Sequence, residues 1–168
     1  MDVRYINPFI HSIRNTFQTM CGFATNVEKP QLKHGNDPAS DVSGVIGFSG
    51  DAAGSVVLHF SFEVASKVAS AFAKITIDPQ HPDFADALGE LANMVAGGAK
   101  AQFEGLRISI SLPNVIVGKN HSVSCSKTTP RIVIPCNTEC GTFYVEVGMV
   151  LARPATRVAP VGEVGVLS

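Results

Sequence analysis

The spacing of apolar residues switches along this chain between helical and alternating, and this succession constrains the fold more than any other feature. Apolar residues recur every three or four positions in segment 8–21, which predicts an amphipathic helix that ends at Gly22. We expect Asn7 to be its N-cap and Pro8 its first helical residue, because the missing N–H of proline costs nothing there.

Alternation with a period of two follows and predicts β-strands. Extended segments are expected near residues 26–33, at 44–49 and at 55–61. Three apolar residues of the last segment are expected on one face: Val56, Leu58 and Phe60. Gly50-Asp51 predicts a hairpin turn between the last two segments, with Gly54 as a further break.

Helical spacing then returns. A second helix is predicted after Ser61 as its cap, with an apolar stripe of four residues: Val64, Val68, Phe72 and Ile75. A third helix is predicted over about residues 83–103, closed by Gly105 as a C-cap. Its buried side is expected to carry five residues: Leu88, Leu91, Ala92, Val95 and Phe103.

Strand patterns fill the rest of the chain. They are expected at residues 107–112, with Ile108, Ile110 and Leu112 alternating, at 114–117, and as a hairpin of 131–136 with 142–151. The order of helix, strands, helices and strands predicts the α+β class, an antiparallel β-sheet packed against helices. A chain of 168 residues, 45% of them hydrophobic, fits one packed domain, which we place at residues 1–151, followed by a C-terminal tail at 152–168.

Charge and hydropathy exclude several partners. The net charge is -1 and the thirteen Lys and Arg residues are scattered, which favours neither nucleic acid nor a membrane surface. The first residues are polar at Asp2, Arg4 and Asn7, and no apolar stretch is long enough for a membrane span, so we expect a cytoplasmic protein. Cys136 and Cys140 lack a second ligand pair, and we therefore predict reduced thiols and no bound metal.

The third helix carries a polar ridge opposite its apolar side. The ridge consists of Asp86, Glu90, Asn93, Gly97 and Lys100. Since an α-helix turns by about 100° per residue, Glu90 and Asn93 lie about 60° apart and one turn along the axis. Gly97, with the neighbouring glycine, would let another backbone or a partner protein approach closely.

Taken alone, a Glu-x-x-Asn pair is common on solvated helix surfaces, and other residues of this region have equally ordinary explanations. Asp86 lies near the helix N-terminus, where negative charge is favourable, and we rate this role above a partner contact. Lys100 lies two turns from Glu90 and is interpreted as a solvated lysine. His81 is interpreted as an exposed loop residue, and His59 as a strand residue that faces water or makes a structural hydrogen bond.

The sequence around the ridge, Asp86-x3-Glu90-x2-Asn93, resembles the signature of the CheC/CheX/FliY family of chemotaxis phosphatases. The resemblance extends to further segments, at residues 5–10 together with 19–22, at 44–57 and at 112–118, and covers most of residues 5–150. Because the chain has one copy of the Glu-x-x-Asn helix, it is more similar to the CheX branch than to CheC, which carries two.

This resemblance implies a function. Members of the family dephosphorylate the aspartyl phosphate of CheY-type response regulators, and Glu90 and Asn93 match their catalytic positions. Asn93 would position the attacking water and Glu90 would contact a lysine of the receiver domain. Mg2+ is expected on the receiver, with no cofactor on this chain, and Asp86 and Gly97 are possible partner contacts.

Two alternatives remain open at this point. The same helix could serve a non-catalytic module that only binds a receiver domain. The chain could also be a dimerisation domain that uses an exposed sheet edge, and the resemblance implies a homodimer that would be compatible with catalysis.

Overall fold

The computed structural model describes residues 2–152 and has the predicted α+β architecture. Its helices are α1 (Val3–Thr16), α2 (Phe62–Ala73) and α3 (Phe84–Ala101). Its strands are β1 (Asn26–Val27), β2 (Gln31–Leu32), β3 (Ser40–Gly50), β4 (Ala52–Phe60), β5 (Ile108–Ile110), β6 (Asn114–His121), β7 (Ile132–Thr138) and β8 (Gly141–Leu151). All strand pairs are antiparallel and form one sheet.

The strand order places the two long hairpins side by side in the middle of this sheet. The order is β1-β7-β8-β4-β3-β5, with β2 also paired to β7 and β6 also paired to β3. The hairpins β3–β4 and β7–β8 are those predicted from the sequence. One apolar core lies between the sheet and the helices, and it includes four residues with 0% exposure: Phe9, Leu58, Leu91 and Phe143.

Helix α1 begins earlier than predicted. The carboxylate of Asp2 accepts from the backbone N–H of Arg4 at 2.9 Å, so Asp2 is the N-cap and the expectation of Asn7 and Pro8 as the first residues was wrong. Pro8 lies inside the helix, where its missing N–H removes one backbone bond. The helix continues into a π-helical segment, Phe17–Cys21, and ends as predicted at Gly22, in the left-handed conformation with φ 77°.

The β3–β4 hairpin turns at Gly50-Asp51 as predicted, and Val56, Leu58 and Phe60 all face the core. Gly54, in contrast, does not break the chain but lies inside β4 with φ 152°. A Cβ atom there would overlap the backbone carbonyl of Gly148 on β8. Gly54 therefore serves the close approach of two central strands.

Helix α2 is capped as predicted by Ser61, whose Oγ accepts from the backbone N–H of Val64 at 3.2 Å. The helix ends before Ile75, because Lys74 adopts the left-handed conformation with φ 58°. Ile75 is consequently 54% exposed, and its assignment to the apolar stripe was wrong.

The predicted end of α3 and the strand after it need correction. The helix ends at Ala101, so Gly105 lies in the following turn, with φ 73°, and is not the cap. Strand β5 ends at Ile110, and Leu112 is 86% exposed. The reason is Ser111, whose hydroxyl accepts from the backbone N–H of Gly47 and donates to the carbonyl of Leu112, which turns the chain away from the sheet.

The predicted tail at residues 152–168 lies outside the described residues, apart from Ala152. The backbone N–H of Ala152 donates to the carbonyl of Asp51 at 2.8 Å, next to the end of β8. Of the helices in residues 2–152, none combines the length and the apolar character that crossing a membrane requires.

Candidate active site

Helix α3 lies closely on its neighbours because small residues leave room for it. A Cβ atom at Gly44 of β3 would be 3.1 Å from the Cβ of Ala92. A Cβ at Gly98 would overlap the Oγ of Ser12 on α1, and this buried hydroxyl donates a hydrogen bond of 2.7 Å to the carbonyl of Val95. The helix is thereby fixed against both the sheet and α1.

The first half of α3 is also packed closely, here against Pro113 and the start of β6. A Cβ atom at Gly89 would be 3.2 Å from Cγ2 of Val115 and 3.4 Å from the ring of Pro113. The residue immediately before Glu90 is therefore pressed against the start of β6. The side chain of Glu90 consequently starts from a backbone that close packing holds in place.

The structure brings the predicted ridge together on the solvent side of α3. Asp86, Glu90 and Lys100 are exposed, whereas Asn93 and Gly97 are half-buried. The five residues predicted for the opposite side are all buried: Leu88, Leu91, Ala92, Val95 and Phe103. The helical periodicity was therefore interpreted correctly on both sides of the helix.

The side chains of Glu90 and Asn93 make no hydrogen bond and no ion pair with any other residue between positions 2 and 152. The carboxylate of Glu90 can accept hydrogen bonds from a partner, while the carboxamide of Asn93 can accept and donate at once. The pair is therefore available to a molecule outside the chain.

Asn93 also lines a groove of about 660 Å³ between α3 and α1. The α1 side of this groove carries mostly polar side chains, among them His11, Asn15 and Thr19, together with Met20. A Cβ atom at Gly97 would meet nothing within 4 Å, so the groove is open at that residue. The sequence indicated close approach at both glycines, but the structure shows that Gly98 receives α1 and Gly97 faces the groove.

The remaining charged residues near α3 have local structural roles. Asp86 is in the first turn and Lys100 in the last, which is favourable for the helix dipole at both ends. His81 accepts a hydrogen bond of 3.1 Å at Nδ1 from the backbone N–H of Asp83 and so closes the turn before the helix. Among residues 2–152, no three His, Cys, Asp or Glu side chains converge as a metal site requires.

A second group of polar residues lies on the sheet face away from the helices, and the sequence did not reveal it. Its centre is Glu146, whose side chain is 0% exposed; Lys33, His59 and Arg131 all bond to it, and we call these four residues the Glu146 cluster. One of the two roles predicted for His59 was a structural hydrogen bond, and its Nε2 makes that bond with Oε2 of Glu146 at 2.8 Å. Burial alone would raise the pKa of Glu146, but hydrogen bonds from His59, Lys33 and Arg131 lower it to about 2.

Fold and site together define a class of protein. A rigid helix presents a carboxylate and a carboxamide on an open surface, beside a groove and not inside an enclosed cavity. Such a surface suits a protein that docks onto another macromolecule, as an enzyme or as a binding module. It suits an enzyme that encloses a small substrate less well.

Comparison with known proteins gives the family. A family model described as "Chemotaxis phosphatase CheX" matches residues 42–137. The CheY-P phosphatase CheX of Thermotoga maritima is 36% identical over 124 residues, which are 71% of this chain and 79% of that protein. The chain belongs to the chemotaxis phosphatase CheX family, and the predicted enzyme class, a phosphatase, is confirmed at that level.

Solved structures agree on the fold. A CheC-like superfamily protein from Shewanella sp. PV-4 superposes with a TM-score of 0.82 at 32% identity, covering 89% of this chain and 99% of that one. CheX in the CheX-CheY-BeF3-Mg2+ complex from Borrelia burgdorferi superposes with a TM-score of 0.75 at 23% identity, covering 86% of this chain and 97% of that one. The predicted CheC/CheX-like α+β fold is therefore confirmed.

Proposed function

We propose that this protein hydrolyses the aspartyl phosphate of a CheY-type receiver domain. Membership of the CheX family and the similarity to a CheY-P phosphatase support the reaction. The observation that carries the proposal is the pair Glu90 and Asn93, which project from one ridge of a tightly packed helix without partners of their own.

In the proposed reaction, Asn93 holds the attacking water. Its carboxamide oxygen accepts a hydrogen bond from that water and so directs the lone pair of the water at phosphorus. The new P–O bond forms while the bond from phosphorus to the aspartyl oxygen breaks. The products are inorganic phosphate and the free aspartate of the receiver, and the chain needs no nucleophile of its own.

Glu90, one turn earlier, orients the docked receiver. Its carboxylate is exposed and would pair with a lysine of the receiver, which fixes the angle at which α3 enters the phosphorylation site. We expect Mg2+ on the receiver to neutralise charge on the phosphoryl oxygens, so this chain requires no cofactor. The solved complex of CheX with CheY, BeF3 and Mg2+ from Borrelia burgdorferi supports a CheY-type receiver as the partner.

The groove beside Asn93 would accept part of the receiver surface. Gly97 leaves it open, and Asp86 at the other end of the ridge is exposed to the same side. Both residues are therefore proposed partner contacts, with Asp86 also serving the helix dipole.

The test is the decay of radiolabelled aspartyl phosphate on receiver domains from the same source, with catalytic amounts of this protein. Replacement Asn93→Ala should lower the catalysed rate by about 10²-fold or more, as for loss of one well-placed transition-state contact. Lys100→Ala, a change on the same ridge, is the control and should keep the rate. Equal rates for Asn93→Ala and the unchanged protein would reject the role of Asn93.

A receiver that binds tightly but loses its phosphate no faster would leave the second candidate, a docking module.

The proposed homodimer concerns a different surface. Among the strands of residues 2–152, β6 pairs with β3 alone, and it exposes Ile116 and Val117 at 40% and 47%. A second copy could extend such an apolar edge. Sedimentation as a monomer at micromolar concentration would reject the dimer without affecting the phosphatase proposal.

A further inference from the structure

The Glu146 cluster combines two cations with one carboxylate. Lys33 and Arg131 both donate to Oε1 of Glu146, while His59 bonds to Oε2. Between residues 2 and 152, no other carboxylate lies within ion-pair distance of Lys33 or Arg131. The cluster therefore has at least one positive charge in excess, whether or not His59 is protonated.

This excess charge is held away from bulk water. The side chains of Arg131 and Lys33 are 7% and 11% exposed, and that of Glu146 is 0% exposed. A buried charge without a full counter-charge is costly, because burial removes its hydration and the low dielectric does not replace it. An additional anion at this place would reduce that cost.

Arg131 also has donors that the fold leaves unused. Its Nε donates to Glu146, and its Nη2 makes only a long contact of 3.5 Å with the carbonyl of Ser55. Its Nη1 has no hydrogen-bond partner in the described part of the chain, and Gly148 provides the space in which it lies. A guanidinium has five N–H donors, so Arg131 can bind a further acceptor without leaving Glu146.

Lys33 and Arg131 line a pocket of about 350 Å³ on the sheet face away from the helices. The segment between β6 and β7 forms much of its wall and adds a third cation, the exposed Lys127. The same segment contributes three hydroxyl groups: Ser124, Ser126 and Thr129. No carboxylate lines the pocket, and besides the three cations and the hydroxyl groups its polar side chains are the carboxamide of Asn36 and the thiol of Cys125.

We propose that this pocket binds a phosphoryl group, as inorganic phosphate or as the phosphate of a small monoester. Because Glu146 offsets one of the three cations, two positive charges remain, which one carboxylate ligand would not neutralise and a phosphate dianion would. The pocket volume lies at the lower end of the range for small-molecule sites, which leaves room for a small organic group beside the phosphate. The site is separate from α3 and is independent of the proposed catalysis.

The experiment titrates the 15N-labelled full chain with each probe at constant ionic strength. The measured quantity is the change in the NMR chemical shifts of the backbone amides. The probes are inorganic phosphate, glycerol 3-phosphate and acetate. Shifts should saturate for the first two and be largest around Lys33 and residues 123–131, with acetate at least tenfold weaker. Whichever phosphate probe binds more tightly identifies the source of the phosphoryl group.

Two variants that change the net charge equally distinguish binding in this pocket from a general electrostatic attraction of anions to the protein. Lys127→Glu should raise Kd for phosphate by about tenfold or more, since a charge-assisted hydrogen bond is worth at least the ~1.4 kcal/mol that a factor of ten represents. Lys29→Glu, at an exposed lysine between β1 and β2, should leave Kd within about twofold. Equal Kd values for the two variants, or equal binding of acetate and phosphate, would overturn the proposal.

Discussion

The side-chain polar groups of Asn93 and Glu90 have no partner in the part of the fold that the structure describes. Removing them should therefore affect binding and turnover more than stability, since surface substitutions without internal partners usually change the free energy of unfolding by less than about 0.5 kcal/mol. This separation makes the two residues suitable for kinetic tests.

Glu90→Gln removes the charge of the residue and keeps its shape. Because Glu90 is proposed to dock a receiver lysine and not to act on the water, we expect KM for the phosphorylated receiver to rise about five- to tenfold, with kcat changed less. Steady-state kinetics with a purified phosphorylated receiver measures both constants. A fall in kcat with KM unchanged would instead place Glu90 in the chemical step.

Gly97→Leu would fill the groove next to Asn93. A side chain there meets no atom within 4 Å of its Cβ, so the fold is expected to tolerate it while the receiver is excluded. We expect KM to rise by about tenfold or more, because a buried obstruction of this size opposes close docking. Gly97→Ala, which leaves most of the groove open, is the control, and equal KM values for the two variants would show that the groove is not part of the interface.

At the scale of elements, the crossing of α1 and α3 fixes the position of the ridge. The crossing depends on Gly98 and on the hydrogen bond from Ser12 to Val95, which links two helices far apart in sequence. An added methyl group in such a contact forces the helices apart, because protein interiors have little free volume.

The two adjacent glycines of α3 should therefore respond in opposite directions. Gly98→Ala should lower the free energy of unfolding by about 1–3 kcal/mol, since its methyl group would overlap Ser12. Gly97→Ala should raise it by up to about 1 kcal/mol, since alanine favours a helix and the space there is open. Urea unfolding of both variants checks this, and the same sign for both would contradict the observed crossing.

At the scale of the whole molecule, the Glu146 cluster joins β4 and β8 to Lys33, directly after β2, and to Arg131, directly before β7, on the face of the sheet opposite the helices. Its carboxylate has a folded-state pKa of about 2, below the ordinary value of 4.5. The contribution of the cluster to stability is therefore complete above pH 4.5 and is lost as the pH falls from there towards 2.

The difference in unfolding free energy between the unchanged protein and Glu146→Gln measures this effect. We expect Glu146→Gln to be less stable by about 3 kcal/mol at pH 7, with the difference shrinking between pH 4.5 and pH 2. Glu63→Gln, which removes an exposed carboxylate paired with Lys67, should change stability by less than about 1 kcal/mol throughout. A difference for Glu146→Gln that stays constant over the acid range would contradict the lowered pKa.

The local parts of the fold could be predicted because their signals are local. Glu90 and Asn93 share a ridge in any α-helix, and the helix itself follows from the apolar spacing of its opposite side. The hairpin at Gly50-Asp51 and the cap at Ser61 depend on residues within a few positions of each other. The start of α1 was missed although its signal is equally local, since the carboxylate of Asp2 already caps the helix before the Asn7-Pro8 pattern is reached.

Other features depend on residues that the chain brings together only after folding. Ser12 reaches Val95 across 83 positions, and Lys33 reaches Glu146 across 113, so neither pair has a sequence pattern. The groove beside Asn93 exists because α1 crosses α3 at Gly98 and leaves Gly97 free. The sequence by itself determined which side chains α3 presents, because helical geometry is local, whereas only the tertiary structure decided what surrounds them and which charges became buried.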